Sequence, residues 1–100
     1  MVEKMIKVTV TVRCKKCGLA MRRIFYISTD DREAVIRRAR FIAQATAYNH
    51  FLSEHLPSST PRDGDKILEL WREFGGFYAF FAEADIPDLG ISREQLLGEK

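Results

Sequence analysis

Within the first thirty residues, two runs alternate between apolar and polar side chains with a period of two. In the first run, polar residues separate four β-branched ones, namely Ile6, Val8, Val10 and Val12. The alternation returns between residues 19 and 27, where one side carries Leu19, Met21, Phe25 and Ile27, with Arg23 as the exception. Two such runs joined by a short polar stretch predict a β-hairpin whose turn lies near residues 14–18.

The stretch STDDREAV marks the start of a long helix. Asp30 is its predicted N-cap, and Glu33, three residues later, completes a capping box. The helix should run from about residue 31 to about residue 55, where Leu56-Pro57 ends it. Its apolar positions form two stripes, the first at Val35, Ala39, Ile42, Ala45, Asn49 and Leu52, the second at Ile36, Ala43 and Ala47. Two apolar stripes predict a helix that is covered on two sides.

An aromatic-rich segment follows a Ser/Pro/Gly/Asp connection. Thr60 is its predicted N-cap, with Pro61 as the first helical residue. Apolar residues then recur at three- and four-residue steps, at Ile67, Leu70, Trp71, Phe74, Phe77, Tyr78 and Phe81. Gly75-Gly76 leaves two interpretations open, a kinked helix or a tight turn between two strands. The helix is favoured because the spacing continues through the glycines, and a further short helix is predicted after Ser92.

Cys14 and Cys17 are the only cysteines, and three interpretations of them compete. A thioredoxin-like redox pair places its reactive thiol at a helix N-terminus, whereas a strand follows Cys17. A core location is disfavoured because Lys15 and Lys16 separate the two cysteines. In a metal-binding turn, two thiolates converge on one ion, and Gly18 permits a positive φ behind the second cysteine. CKKCG resembles the knuckle of zinc ribbons, treble clefs and related fingers, and this resemblance implies a structural Zn²⁺.

His50 and His55 are the only histidines, and their H-x4-H spacing is within the range of structural zinc sites. The second strand should travel about 30 Å away from the cysteine turn. A helix over 31–50 returns about 29 Å, which places His50 level with that turn. Residues five apart on a regular helix point about 140° apart, so the last turn must loosen for both to bind. The predicted zinc ligands are Cys14, Cys17, His50 and His55.

The net charge of +2 hides an asymmetry. Residues 1–50 carry eleven Lys and Arg against four acids, whereas residues 51–100 carry five against ten. A basic half is typical of a nucleic-acid footprint, but two halves of opposite charge also neutralise each other when they fold together. The second interpretation is favoured.

Together these patterns predict one zinc-stabilised α+β domain over residues 1–100. It comprises an N-terminal β-hairpin with a zinc knuckle at its tip, a long helix packed on it, and an aromatic-rich helical C-terminal region. Four protein ligands would leave the metal no open position, so the ion is expected to be structural. Nucleotide-binding and hydrolase motifs are absent from the sequence, so no enzymatic activity is predicted. A secretory signal, a lipidation motif and a membrane-length apolar run are also absent, which predicts a cytoplasmic protein.

The favoured function is a small, non-enzymatic protein-binding module. By analogy with phage and mobile-element proteins of this size, it would be an inhibitor or adaptor acting on a larger host defence complex. The alternative is a nucleic-acid binder that uses the basic hairpin and the helix arginines, although the acidic half would repel phosphates. Five cations are the predicted partner surface, namely Lys15, Lys16, Arg22, Arg37 and Arg40. The hairpin edges predict a homodimer or an edge strand paired with the target.

Overall fold

Four antiparallel strands and two α-helices build the described part of the chain. The computed structural model describes residues 5–29, 31–60 and 63–97. In chain order the regular elements are β1 (Ile6–Cys14), β2 (Ala20–Ile27), α1 (Arg32–His50), α2 (Gly64–Phe74), β3 (Phe80–Ile86) and β4 (Ile91–Leu97). A π-helical turn (Phe51–His55) extends α1, and 3₁₀ turns precede and follow β3 at Gly76–Ala79 and Pro87–Leu89. The predicted α+β class and the N-terminal hairpin are confirmed.

The strands form one sheet in the order β2-β1-β3-β4. β1 and β2 pair without a bulge, from Ile6 opposite Ile27 to Arg13 opposite Ala20. The other side of β1 pairs with β3, from Thr9 opposite Asp85 to Cys14 opposite Phe80. The hairpin therefore keeps only one open edge, that of β2, because the rest of the sheet occupies the other.

α1 packs on one face of the sheet through small side chains. Its buried residues recur mostly at four-residue steps, at Val35, Ala39, Ala43, Thr46, Ala47 and His50. β3, one of the strands that α1 contacts, buries Ala82 and Ala84, so small side chains meet on both surfaces. The prediction of burial on two sides is wrong, because Ala45 and Asn49 are exposed.

The helix starts differ in detail from the prediction. Asp31 is the N-cap of α1, and its carboxylate accepts a hydrogen bond from the Glu33 backbone N–H. Asp30, the predicted cap, lies outside the described residues. α2 begins at Gly64 after the N-cap Asp63, so the prediction of Thr60 as N-cap is wrong. The predicted first helical residue, Pro61, is also outside the described residues.

The prediction of a helical C-terminal region is wrong beyond Phe74. Gly75 adopts a φ of 116°, a left-handed conformation that ends α2 rather than kinking it. The chain then enters β3, where burial alternates residue by residue, and residues 91–97 form a strand instead of a closing helix. Alanine and acidic residues in β3 lower its strand propensity, but pairing with both β1 and β4 overrides that local preference.

The aromatic residues of α2 belong to the core beside the end of α1. Trp71 is buried, and its ring contacts those of Phe51, Phe80 and Phe77. Both helices lie on the face of the sheet that buries the apolar residues of β1. The opposite face is covered by no element among the described residues. The helices within the described ranges include none long and apolar enough to cross a membrane.

Candidate metal centre

The cysteine turn is held in place by backbone hydrogen bonds. Cys14 is the last residue of β1, its N–H donates to the Leu19 carbonyl, and its carbonyl accepts from Gly18. Gly18 has a φ of 81°, which confirms the predicted positive φ. The Lys15 N–H donates to the Ala79 carbonyl at 2.8 Å, so the turn is also fixed to the segment that leads into β3.

The two cysteines differ in burial. Cys14 is fully buried and Cys17 is exposed, and both are free thiols. The expectation that the tip is hard to bury is therefore wrong for Cys14, which pairs with Phe80 of β3 and has the His55 ring 3.6 Å from its sulfur. The strand β2 follows Cys17, so this thiol does not lie at a helix N-terminus, as the sequence indicated.

The histidines lie at the opposite end of α1 from its N-cap, where the helix widens. His50 is the last α-helical residue, and the π-helical turn Phe51–His55 follows. A π-turn adds a residue to each hydrogen-bonded ring and occurs frequently at functional sites. This confirms the prediction that the last turn loosens, and the extra residue brings the His50 and His55 rings onto the same side of the helix.

The four predicted ligands converge, and together they are named the four-residue cluster. It comprises Cys14, Cys17, His50 and His55, whose ligand atoms all lie within 4.8 Å of one another. The Cys14 Sγ to His55 Nε2 distance is 3.6 Å, and Cys17 Sγ to His50 Nε2 is 3.4 Å. The two Nε2 atoms are 3.1 Å apart. The predicted antiparallel return of the helix to the cysteine turn is thus confirmed.

These distances approximate the edges of a tetrahedron around one ion. Bonds of about 2.3 Å to sulfur and about 2.05 Å to nitrogen give S–N edges of about 3.6 Å and an N–N edge of about 3.3 Å. A hydrogen bond satisfies such atoms only in pairs and requires a proton on one of the two atoms. A central cation instead accepts a lone pair from all four atoms, so the cluster is suited to hold a metal ion such as zinc.

Burial prepares the His50 imidazole for ligation. Desolvation lowers the pKa of His50 below its ordinary value, and the neighbouring His55 lowers it further, whereas Glu54 acts in the opposite direction. A lowered pKa keeps the His50 ring neutral near pH 7, and neutral imidazole is the form that binds metals.

Aromatic rings that the sequence did not assign to the site surround the histidines. The Phe74 ring centroid lies 4.7 Å from that of His55, and the Phe80 centroid lies 6.0 Å from that of His50. Lys16 extends its ammonium over Phe74, 5.8 Å from the centroid. The three/four spacing of the aromatic residues was visible in the sequence, but only the turn at Gly75 brings Phe80 to this position.

The structure does not bring the five predicted partner-binding cations together. Lys15 and Lys16 project from the cysteine turn, and Arg22 lies opposite Thr11 on the face of the sheet away from α1. Arg37 and Arg40 are exposed on α1, where they line one depression with Arg32, Glu33 and Ile36. The cations therefore form three separate surfaces.

Direct ion pairing between the two oppositely charged halves is sparse. Among residues 5–29, 31–60 and 63–97, the only ion pair joining them is Arg32–Glu94 at 3.6 Å. A second pair, Lys66–Glu69, lies within α2. The expectation that the two halves neutralise each other is therefore supported by only one direct ion pair among these residues. Most of the α1 arginines remain free to contact other molecules.

Comparison of the chain with protein-family models, curated proteins and solved structures finds no match. The functional argument therefore rests on the geometry of the site and of the exposed surfaces.

Proposed function

We propose that this protein is a small, non-enzymatic protein-binding module whose four-residue cluster holds one structural Zn²⁺. The observation that carries the proposal is the convergence of two sulfur and two nitrogen atoms within 4.8 Å. Two thiolates and two imidazoles form a common structural zinc set, and soft sulfur ligands favour zinc over magnesium or calcium. With four protein ligands, the ion would have no position left for a substrate.

Zinc at this position would tie together parts of the chain that are distant in sequence. The metal would join the hairpin turn to the end of α1, because the cysteine–histidine contacts span 33 and 41 residues. The turn then acts as a zinc knuckle, and the binding free energy of the metal becomes folding free energy. The proposed location is a reducing cytoplasm, where both thiols remain available as ligands.

The protein-binding role is supported by the exposed surfaces rather than by the metal. Several large apolar side chains are exposed, among them Ile24, Tyr26 and Phe41, and aromatic residues are effective interface anchors. Within this class we assign an inhibitor or adaptor role on a larger complex, which needs binding surfaces rather than an open reaction centre.

Nucleic-acid binding is the second candidate. It is favoured by the depression on α1 that Arg32, Arg37 and Arg40 line together, since guanidinium groups contact phosphates readily. Acidic side chains on the sheet, such as Glu83 and Asp85, oppose an extended phosphate-binding surface.

The test combines metal analysis with two binding assays. Native mass spectrometry of the purified protein should show about one zinc per chain. Affinity purification from the source organism should retain a protein partner after nuclease treatment, and Cys17→Ser should abolish this retention. A steep loss of affinity for random duplex DNA with rising salt would instead identify the nucleic-acid binder. Absence of metal, with folding unaffected by chelation, would reject the zinc proposal.

A further inference from the structure

β2 is an unprotected strand edge. It is the outermost strand of the sheet, and none of its eight residues is buried. Its pairing with β1 is continuous, so no bulge turns it away from solvent, and its sequence contains neither proline nor glycine. Sheet edges of this kind expose a row of backbone groups that accept a further strand. On β2 the Arg22 carbonyl accepts a hydrogen bond from the exposed Arg23 guanidinium at 3.1 Å, which an added strand would displace.

A groove runs between this edge and α1. It is lined by Ile27, Ala34, Arg37, Arg38 and Phe41. Arg37 and Arg38 each lie three or four residues from both Ala34 and Phe41, so the four helix residues share one side of α1. Phe41 is 61% exposed, although it is a large apolar residue. The groove thus combines an apolar floor with two guanidinium groups, directly beside the end of β2.

The charges around the groove are positive and uncompensated. Among the residues that the structure describes, none that lines the groove is acidic, and Arg37 and Arg38 have no carboxylate within 4.0 Å. β2 itself carries Arg22 and Arg23 and no acidic residue. Arginine forms bidentate hydrogen bonds with carboxylates, so the surface is complementary to an acidic partner.

A second copy of the chain fits this edge poorly. Arg22 and Arg23 lie near the middle of β2, between Ala20 and Ile27. Antiparallel pairing of β2 with itself would place these arginines close to the same arginines of the other copy, and like charges across strands are destabilising. The charge pattern therefore selects a partner of different sequence.

We propose that an extended, acidic segment of a partner protein, with apolar residues at alternate positions, adds to β2 as a fifth strand. Strand addition gives affinity through main-chain hydrogen bonds, and alternate side chains give specificity. The apolar side chains of the segment enter the groove against Ile27 and Phe41. A carboxylate that flanks the apolar residues on this face contacts Arg37 and Arg38 at the rim of the groove, and carboxylates at the intervening positions contact Arg22 on the opposite face. This inference rests on the proposed protein-binding function and names its surface.

The test begins with a display library of random peptides of about 12 residues, long enough to cover one strand. The library is selected against the zinc-loaded protein, and the enriched peptides are synthesised. They should be rich in Asp and Glu and carry apolar residues at alternate positions. In ¹⁵N NMR spectra, their addition should shift the amide signals of β2 and of residues 34–41.

Charge-matched variants and modified peptides then test the binding mode. Arg38→Glu should weaken the selected peptides roughly tenfold or more. Arg93→Glu, the same charge change on the opposite edge strand β4, should leave the affinity unchanged. Methylating the backbone nitrogens of one alternate set of peptide residues should abolish binding, whereas methylating the other set should be tolerated.

Several outcomes would overturn the inference. These are no enrichment of acidic peptides, tolerance of both methylated sets, or signal changes confined to another surface. Concentration-dependent broadening of the β2 signals without peptide would assign the edge to a second copy, and salt-sensitive DNA binding at Arg38 would assign the groove to nucleic acid. Zinc content and melting are measured on the same samples. A zinc-loaded protein that binds a folded partner but no acidic peptide would retain the proposed function and reject only this inference.

Discussion

The Nε2 atoms of His50 and His55 lie 3.1 Å apart, although these histidines are five positions apart in sequence. On a regular α-helix their side chains would point about 140° apart. The π-helical turn Phe51–His55 removes this divergence, and both rings face the cysteine turn. The local widening of the helix is therefore the feature that completes the four-residue cluster.

Removal of the metal is expected to abolish cooperative unfolding. Structural zinc in small domains contributes on the order of 10–16 kcal/mol of apparent binding free energy at pH 7, which exceeds the stability of a typical domain of this size. Calorimetry in strong chelator should show no cooperative transition, and added zinc should restore it. An unchanged melting curve in chelator would contradict the prediction.

Cys17→Ser should damage folding far more than Lys15→Ala, although both residues are exposed on the same turn. The serine hydroxyl is a poor zinc ligand, whereas the Lys15 side chain is expected to make no bond to the metal. Circular dichroism and zinc content measure the effect. Cobalt substitution gives a second readout, since the absorption bands of tetrahedral Co²⁺ should weaken or shift in the serine variant and remain in the lysine variant. Equal stability of the two variants would argue against thiolate ligation.

Gly75→Ala should destabilise the protein by about 1–3 kcal/mol, because an L side chain is strained at this backbone conformation. The φ of Gly75 is 116°, and a Cβ there would lie 3.3 Å from the Ala79 Cβ. Gly64→Ala is the control, since a Cβ at Gly64 meets nothing within 4 Å. Urea denaturation of both variants measures the difference, and equal midpoints would show that α2 does not depend on Gly75 for its termination.

Trp71→Ala should lower the free energy of unfolding by about 3–5 kcal/mol, as is typical when a large buried aromatic residue is truncated. Trp71 is 8% exposed and contacts several aromatic rings beside the metal centre. Tyr78→Ala, at a residue that is 70% exposed, should change stability by less than about 0.5 kcal/mol. Thermal unfolding in the presence of zinc compares the two, and similar losses would contradict the proposed core.

Arg37→Glu combined with Arg40→Glu should leave the melting temperature nearly unchanged. Both residues are exposed, and neither forms an ion pair with the described residues. The same double variant should weaken binding to the purified partner at least about tenfold, which requires only ~1.4 kcal/mol. Unfolding of the variant would show that the arginines support the fold, and normal binding would place the working surface elsewhere.

The sequence by itself was sufficient for the hairpin, the long helix and the convergence of the four-residue cluster. Alternation with a period of two identified β1 and β2, and helix length compared with strand length returned His50 to the cysteine turn. The alternation and the lengths of these elements follow from local geometry and do not depend on which elements pack against them. Even the loosened turn at His55 followed from the angle between residues five apart.

The C-terminal half was decided by tertiary structure. Burial in β3 alternates at Phe80, Ala82, Ala84 and Ile86, yet its alanines and acidic residues favour a helix locally. The stretch SREQ in β4 likewise resembles a capping box. Pairing of β3 with β1, and of β4 with β3, gave these segments cross-strand partners and a buried face, which outweigh intrinsic propensities of only about 1 kcal/mol per residue. The alternation of alanines with acidic residues in β3 is only a weak period-two signal, and the conformation of Gly75 determined where the helix ends and the strand region begins.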